Sequence, residues 1–496
     1  MNSFDGQTQA FVNWLVDEAK IKISDKVEVQ DLRAQGQGRA LVAVQDILKD
    51  EVLFEIPREC LLNAKTSSLV KDHPELKVNL EQELGHWEGL ILCILYEKLV
   101  KKESSHWFPY FSILPEAEEI NSLMYWNDEQ LENLKPSLVL TRIGKEAAKN
   151  MFDSIAIFIT THGLRDEISP LSWDLFVHVA SIIMSYSFDV ELPEKQSNDQ
   201  EDGQDENEEY ENECIARDGY MKSMVPLADI LNSNTNRCNA HLTYSSTTLK
   251  MFAIADIPKN GQIFNIYGDH PNAEILRRYG YVEWGGSKFD FAEVRLQNVA
   301  DIICNKFNIT ETKFEKLIKI FQENVTINEL LEDESIILES YDCYNDGTIL
   351  PEIIILLQIL CTFLSMDLVE KYVDDEIIES QLERVTKKCT QLISGGRITS
   401  MVCDLWKQIV CAREKEYPSH ASREQVIQLN QYLNTDGLRN NMASEVLRNE
   451  FQCLQKCEDS IKNEFTIIDD QKLLNNVLKR KSTNEQNSMP EKRQKI

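Results

Sequence analysis

The chain has 496 residues, too many for one compact core, and its 42% hydrophobic and 27% charged content is that of a globular protein of two domains with tails. A formal charge of -30 argues against a nucleic-acid groove over most of the surface and favours a basic partner. Twelve cysteines without a CxxC pair indicate neither a zinc site nor a disulfide framework, so no metal is expected.

The amino terminus carries acids and no basic region ahead of its apolar residues, so it does not read as a signal peptide. The most apolar run, 353–364, is shorter than the roughly 20 residues a bilayer demands and reads as a buried helix. A soluble intracellular chain without membrane contact is expected.

In chain order, residues 10–18 put Phe11, Trp14, Leu15 and Glu18 on one helical stripe. From Val27 the pattern alternates, passes through Gln35-Gly36-Gln37-Gly38-Arg39 and resumes at 41–44; a further strand spans 52–56. Glycines between strands let the backbone turn with positive φ and approach a ligand closely. Residues 60–190 turn helical, with Trp87, Leu90, Ile91 and Leu95 on one face. This stretch contains His106-Trp107-Phe108-Pro109-Tyr110-Phe111 and Leu114-Pro115, and closes on Ser185-Tyr186-Ser187-Phe188. Residues 191–213 hold eleven acids against one lysine, a composition that cannot bury enough surface to order itself.

The most informative stretch is 224–280. An apolar run, 225–231, ends abruptly on Asn232 and Ser233, delivering an amide to the mouth of a core. Strands follow at 242–244 and 249–254; then Pro258-Lys259-Asn260-Gly261 turns the chain into a third strand, 263–267, which ends on Tyr267. A short helix opens at Pro271 and stops at Gly280 with Tyr279 in its last turn. Beyond 305 the chain reads as repeated amphipathic helices, with capping-box spacing at Thr312 and helical runs at 351–372, 376–394, 399–414, 422–434 and 438–464. The tail carries Lys479-Arg480-Lys481 and Lys492-Arg493-Gln494-Lys495, which look like a bipartite nuclear address.

Together, Ala228-Asp229-Ile230-Leu231-Asn232, the strand Ile263-Phe264-Asn265-Ile266-Tyr267-Gly268 and Tyr279-Gly280-Tyr281-Val282 resemble the Asn-His motif, the tyrosine-bearing strand and the YGF[VI] segment of SET-domain methyltransferases. The likeness is to the branch that acts on lysines of the Rubisco large subunit and of ribosomal proteins. It implies an α+β architecture: a SET β-fold with a helical insert over 60–190 and an acidic loop over 191–217, together filling 1–304, then an all-α substrate-binding domain over 305–466 and a disordered basic tail over 467–496.

The resemblance also implies S-adenosylmethionine as cofactor and Tyr267 as the catalytic residue. Gly38, Arg39, Ala40, Leu41, Tyr186, Asn232, Ser233 and Tyr279 fall on its cofactor side, and Trp107, Ser187 and Tyr244 on its substrate side. Two positions depart from the pattern: Ser233 stands where the motif has histidine, and Tyr186 where many relatives have arginine. The implied substrate is a lysine of a large-subunit ribosomal protein, methylated once by a monomer that does not touch nucleic acid. A nuclear methyltransferase of a transcription factor or histone, a histidine methyltransferase, and an inactive SET scaffold that binds a basic partner remain open, because the motifs read chemistry and not target.

Overall fold

A computed structural model describes residues 3–193, 219–332, 335–366, 375–422 and 435–478. The acidic stretch beyond 193, most of the helix expected over 422–434 and the basic clusters at 479–495 lie outside these residues. The chain forms two compact units, Met1–Asp290 with His420–Asn449, and Phe291–Ser419 with Glu450–Ile496.

In the first unit, Lys22–Ile23, Val52–Pro57, Thr248–Ala253 and Ala240–Tyr244 make an antiparallel four-stranded sheet in that order. Period-two burial drives it: Leu249, Met251 and Ala253 point into the core while the residues between them are part-exposed. Val27–Asp31 pairs with Arg39–Ala43, and Ser187–Glu191 with Tyr220–Met224, both antiparallel. Of the strand expected over 263–267 only Phe264–Asn265 is regular, and it pairs in parallel with Asn232–Ser233.

The opening helix spans Phe4–Asp17, starting earlier than its apolar stripe because the Ser3 side chain caps it by accepting from the Gly6 N–H. The insert is helical as expected. Its central helix His86–Tyr96 is buried nearly all round, and Trp173–Tyr186, capped by Ser172, leads directly into the strand Ser187–Glu191.

The boundary expected at 304 falls at Asp290 instead, because Phe291–Arg295 pairs with Ser340–Tyr344 inside the second unit. Residues 420–449, expected in the helical domain, belong to the first unit. There Met442, Ala443 and Val446 pack with Leu123, Trp126, Leu276 and Val282, and Arg439 donates to the Tyr125 carbonyl and the Gln130 side chain.

The second unit is built from Leu296–Phe307, Glu311–Glu323, Pro351–Leu364, Asp375–Ser394, Ser400–Glu414 and later helices, accompanied by small sheets. Its helix at 311 is capped by Thr310, which accepts from the Lys313 N–H, and not by Thr312. Thr466–Ile468 and Asp470–Leu478 are ordered, so the stretch 467–478 is not part of a disordered tail. Among the described residues no helix is long and apolar enough to cross a membrane.

Candidate active site

The site is built on the segment 225–233. Leu227 is fully buried with φ 78° and ψ -41°, a strained backbone that costs about 1–3 kcal/mol and persists because packing around its side chain holds it. One turn of 3-10 helix, Ala228–Ile230, follows and turns Asp229 inward. Burial pushes the Asp229 carboxyl up to about 7, partly opposed by the Tyr110 hydroxyl, which donates a hydrogen bond to Oδ2. The other oxygen, Oδ1, is buried without a partner.

Asn232 and Ser233 then form the parallel bridge to Phe264 and Asn265. Two residues past Asn265, the Tyr267 hydroxyl turns back and donates to the Leu231 carbonyl at 2.8 Å. The Asn232 side-chain amide, Nδ2, is buried and has no acceptor.

The GxG segment lies alongside. Ile263 N–H donates to the Leu41 carbonyl at 2.8 Å and Ala43 N–H to the Gly261 carbonyl at 2.9 Å, so the strand Arg39–Ala43 borders the stretch that leads to Tyr267. Ala40 and Leu41 are fully buried, whereas Gly38 is exposed. Of the two glycines only Gly36 adopts positive φ. The Arg39 guanidinium is committed elsewhere: it donates to Thr8 Oγ1 and the Ile113 carbonyl and lies over the Phe4 ring. The Arg39 side chain is thus spoken for, and its backbone opens the strand opposite Asp31.

Tyrosines line the rest. The Tyr279 ring sits 4.8 Å from that of Tyr267, tilted by 46°, and its hydroxyl donates weakly to the Tyr267 carbonyl at 3.4 Å. Gly280 fixes this placement: its φ is 72°, and a Cβ there would fall 2.6 Å from the Ser122 nitrogen. The Tyr281 hydroxyl is buried without a hydrogen-bond partner beside Ser233. Tyr186 is half-buried, and burial pushes its hydroxyl up to about 12, with the nearby Asp229 adding to the shift. Desolvation raises Tyr267, Tyr279 and Tyr281 as well, so these phenols stay protonated donors at neutral pH.

Ser187 starts the strand opposite Met224, and Tyr244 ends its own strand near the charges of Glu191, Asp189 and Arg58. Trp107 is not at the surface of the site. It is fully buried, and its indole N–H donates to the Cys60 carbonyl at 3.1 Å, so it is a core residue and the expectation of substrate contact is corrected. Sequence reasoning missed Asp229, Tyr110 and Tyr281. For Tyr281 a signal was available, since the YGF[VI] pattern has phenylalanine there.

Residues 38–268 match the SET domain family. Over 98% of both chains the sequence is 46% identical to the ribosomal lysine N-methyltransferase 4 of Saccharomyces cerevisiae, and it is 30% identical to the human N-lysine methyltransferase SETD6 over 53% of this chain and 52% of that one. The fold matches solved structures of Rubisco LSMT bound to AdoMet, with a TM-score of 0.60 at 17% identity over 96% of this chain and 97% of that one, and of the LSMT SET domain bound to lysine and AdoHcy, with a TM-score of 0.59 at 18% identity over 97% and 98%.

The chain belongs to the SET-domain lysine N-methyltransferases, enzymes that use S-adenosylmethionine. Its residues fit that cofactor. Unsatisfied buried donors, Asn232 Nδ2 and the Tyr281 hydroxyl, call for acceptors, and the orphaned Asp229 Oδ1 suits a neighbouring positive charge.

Proposed function

We propose that this protein adds one methyl group to a lysine of a large-subunit ribosomal protein, acting as a monomer on a basic protein and making no direct contact with nucleic acid. The observation that carries this reading is the 46% identity, over nearly the full length of both chains, to a yeast enzyme named for ribosomal lysine. The charge of -30 supports a basic substrate.

When bound, S-adenosylmethionine supplies a methyl group on a sulfonium for in-line displacement. The chain must then hold, orient and desolvate. Asn232 and the backbone at Ser233 hold the cofactor side together with Gly38, Arg39, Ala40 and Leu41. Tyr186 closes the same side where many relatives carry an arginine. Tyr267, anchored through its hydroxyl to the Leu231 carbonyl, orients the amine, and Tyr279 walls the channel 4.8 Å away. Ser187 and Tyr244 flank the substrate path.

A free lysine has a pKa of about 10.4, so the site has to favour the neutral amine. Burial among protonated phenols does so by opposing the ammonium form. Asp229, raised to about 7, is only partly anionic near neutrality and so pins the ammonium weakly. No dedicated general base is then required.

Mass spectrometry of large-subunit ribosomal proteins from cells lacking the gene tests the substrate. A single missing 14-dalton increment on one lysine is expected, and an unchanged protein set would point to a different target. The two basic clusters from Lys479 support nuclear localisation. A chain ending before Lys479 should lose nuclear enrichment while methylating normally in vitro; equal nuclear signal from both chains would remove this part of the reading.

A further inference from the structure

The strand that carries Asn232 ends on a serine where the family motif has histidine, and the segment after Gly280 carries a tyrosine where it has phenylalanine. These two departures meet in space. The Ser233 side chain faces the Tyr281 hydroxyl and draws its pKa down against the larger upward push of burial, but the two do not meet full hydrogen-bond geometry. The position that loses a polar imidazole and the position that gains a phenol oxygen are thus polar neighbours.

The Tyr281 oxygen is shielded from solvent and unsatisfied. A buried hydroxyl without a partner costs about 1–3 kcal/mol, so its retention calls for a reason that folding does not provide. Its neighbourhood supplies one. Asn232 Nδ2, one residue from Ser233, is also a buried donor without an acceptor. The Tyr281 ring sits 6.5 Å from that of Tyr279, which in turn packs 4.8 Å from Tyr267. Two orphaned donors flanking the Tyr267 site are what a pocket presents when it expects a ligand with acceptors.

We propose that Tyr281 is a cofactor-binding residue: its hydroxyl, beside the serine that stands for the motif's histidine, donates with the Asn232 amide to an acceptor on S-adenosylmethionine. This rests on the methyltransferase reading above and adds a residue and a coupling that the family pattern does not contain.

The test is calorimetric titration of the full chain with S-adenosylhomocysteine, paired with thermal melts with and without that ligand. Tyr281→Phe removes only an oxygen that has no partner. The ligand-free melting temperature should stay level or rise, while the dissociation constant rises roughly three- to tenfold and the ligand-induced shift in melting temperature shrinks. A structural role for the hydroxyl would instead lower the ligand-free melting temperature.

Ser233→His alone should weaken binding, since the imidazole meets the Tyr281 hydroxyl. Ser233→His combined with Tyr281→Phe should bind more tightly than Ser233→His alone, giving coupled and not additive effects. Three results overturn the proposal: an unchanged dissociation constant in Tyr281→Phe, additive effects of the two substitutions, or a rise confined to the KM for protein substrate, which would assign the hydroxyl to the amine. If the unsubstituted chain itself fails to bind S-adenosylhomocysteine, the methyltransferase reading falls and this proposal falls with it. Binding by the unsubstituted chain with no change in the variants removes the proposal alone.

Discussion

The hydroxyl of Tyr267 donates to the backbone carbonyl of Leu231 at 2.8 Å, which ties the segment just past one site strand to the residue immediately before Asn232 on the other. The phenol is therefore fixed before any ligand arrives, and its orientation does not depend on a loop closing over it. Removing the oxygen should cost the fold little, about 0.5–1.5 kcal/mol for one hydrogen bond. The transition state loses an oriented acceptor oxygen in a desolvated site, an effect of roughly 100- to 1,000-fold in kcat. Tyr267→Phe is expected to show that fall with a nearly unchanged melting temperature. Methylation at the unsubstituted rate would show that Tyr267 is not the catalytic residue.

Asp229 makes stability depend on pH in an unusual direction. Its folded-state pKa of about 7 lies above the usual carboxylate value of about 3.9, so the folded chain binds the extra proton more tightly than the unfolded one. The stability this contributes is fully present below about pH 4 and is lost as pH rises through about 7, on the order of 4 kcal/mol in all. Asp229→Asn keeps an acceptor for the Tyr110 hydroxyl but cannot ionise. Melting curves at pH 5 and pH 7.5 should show a larger drop for the unsubstituted chain than for the variant; parallel curves would mean that Asp229 stays ionised.

Gly280 separates the two tyrosines that matter most after Tyr267. Alanine there meets a left-handed backbone, worth about 1–2 kcal/mol of strain, and a Cβ that overlaps the backbone of Asn121 and Ser122. Gly280→Ala should lower the melting temperature by several degrees and reduce kcat, since Tyr279 and Tyr281 cannot both keep their places. A variant with full activity and stability would show that the loop at 121–122 yields freely.

The acidic stretch over 191–213 leads into the strand Tyr220–Met224 and so toward Asn232. A lysine entering beside a cationic cofactor is repelled, and the eleven acids of this stretch would raise the local concentration of a basic substrate. Such attraction is screened over about 8 Å at physiological ionic strength. Deleting 194–213 should raise the KM for protein substrate, leave kcat nearly unchanged and flatten the salt dependence of kcat/KM. An identical salt slope in the deleted and intact chains would remove the steering role.

What could be read from the residues was whatever is encoded locally. Asn232 and Tyr267 were legible because an amide ending an apolar run and a tyrosine ending a strand break the pattern a plain core would show. The Asp229–Tyr110 bond was not, since its partners are 119 positions apart and nothing in either neighbourhood marks the other. Trp107 misled for a related reason: an aromatic cluster has the same composition whether it faces a ligand or the Cys60 carbonyl. The fate of 420–449 was equally hidden, because an amphipathic period shows that a helix has a buried face and not which core receives it.

The return of 420–449 bears on how the protein is made. During synthesis the parallel bridge between Asn232–Ser233 and Phe264–Asn265 and the tyrosines at 279 and 281 become available early. The face formed by Leu123, Trp126, Leu276 and Val282 has to wait until Met442, Ala443 and Val446 emerge, more than 300 residues after the first of its members. Such long-range closure is slow, and apolar surface left waiting invites chaperones or aggregation. A gene fragment ending at Asp290 therefore encodes every tyrosine of the site but not a self-sufficient enzyme, and termination ahead of Met442 would abolish activity as surely as a lesion at Tyr267.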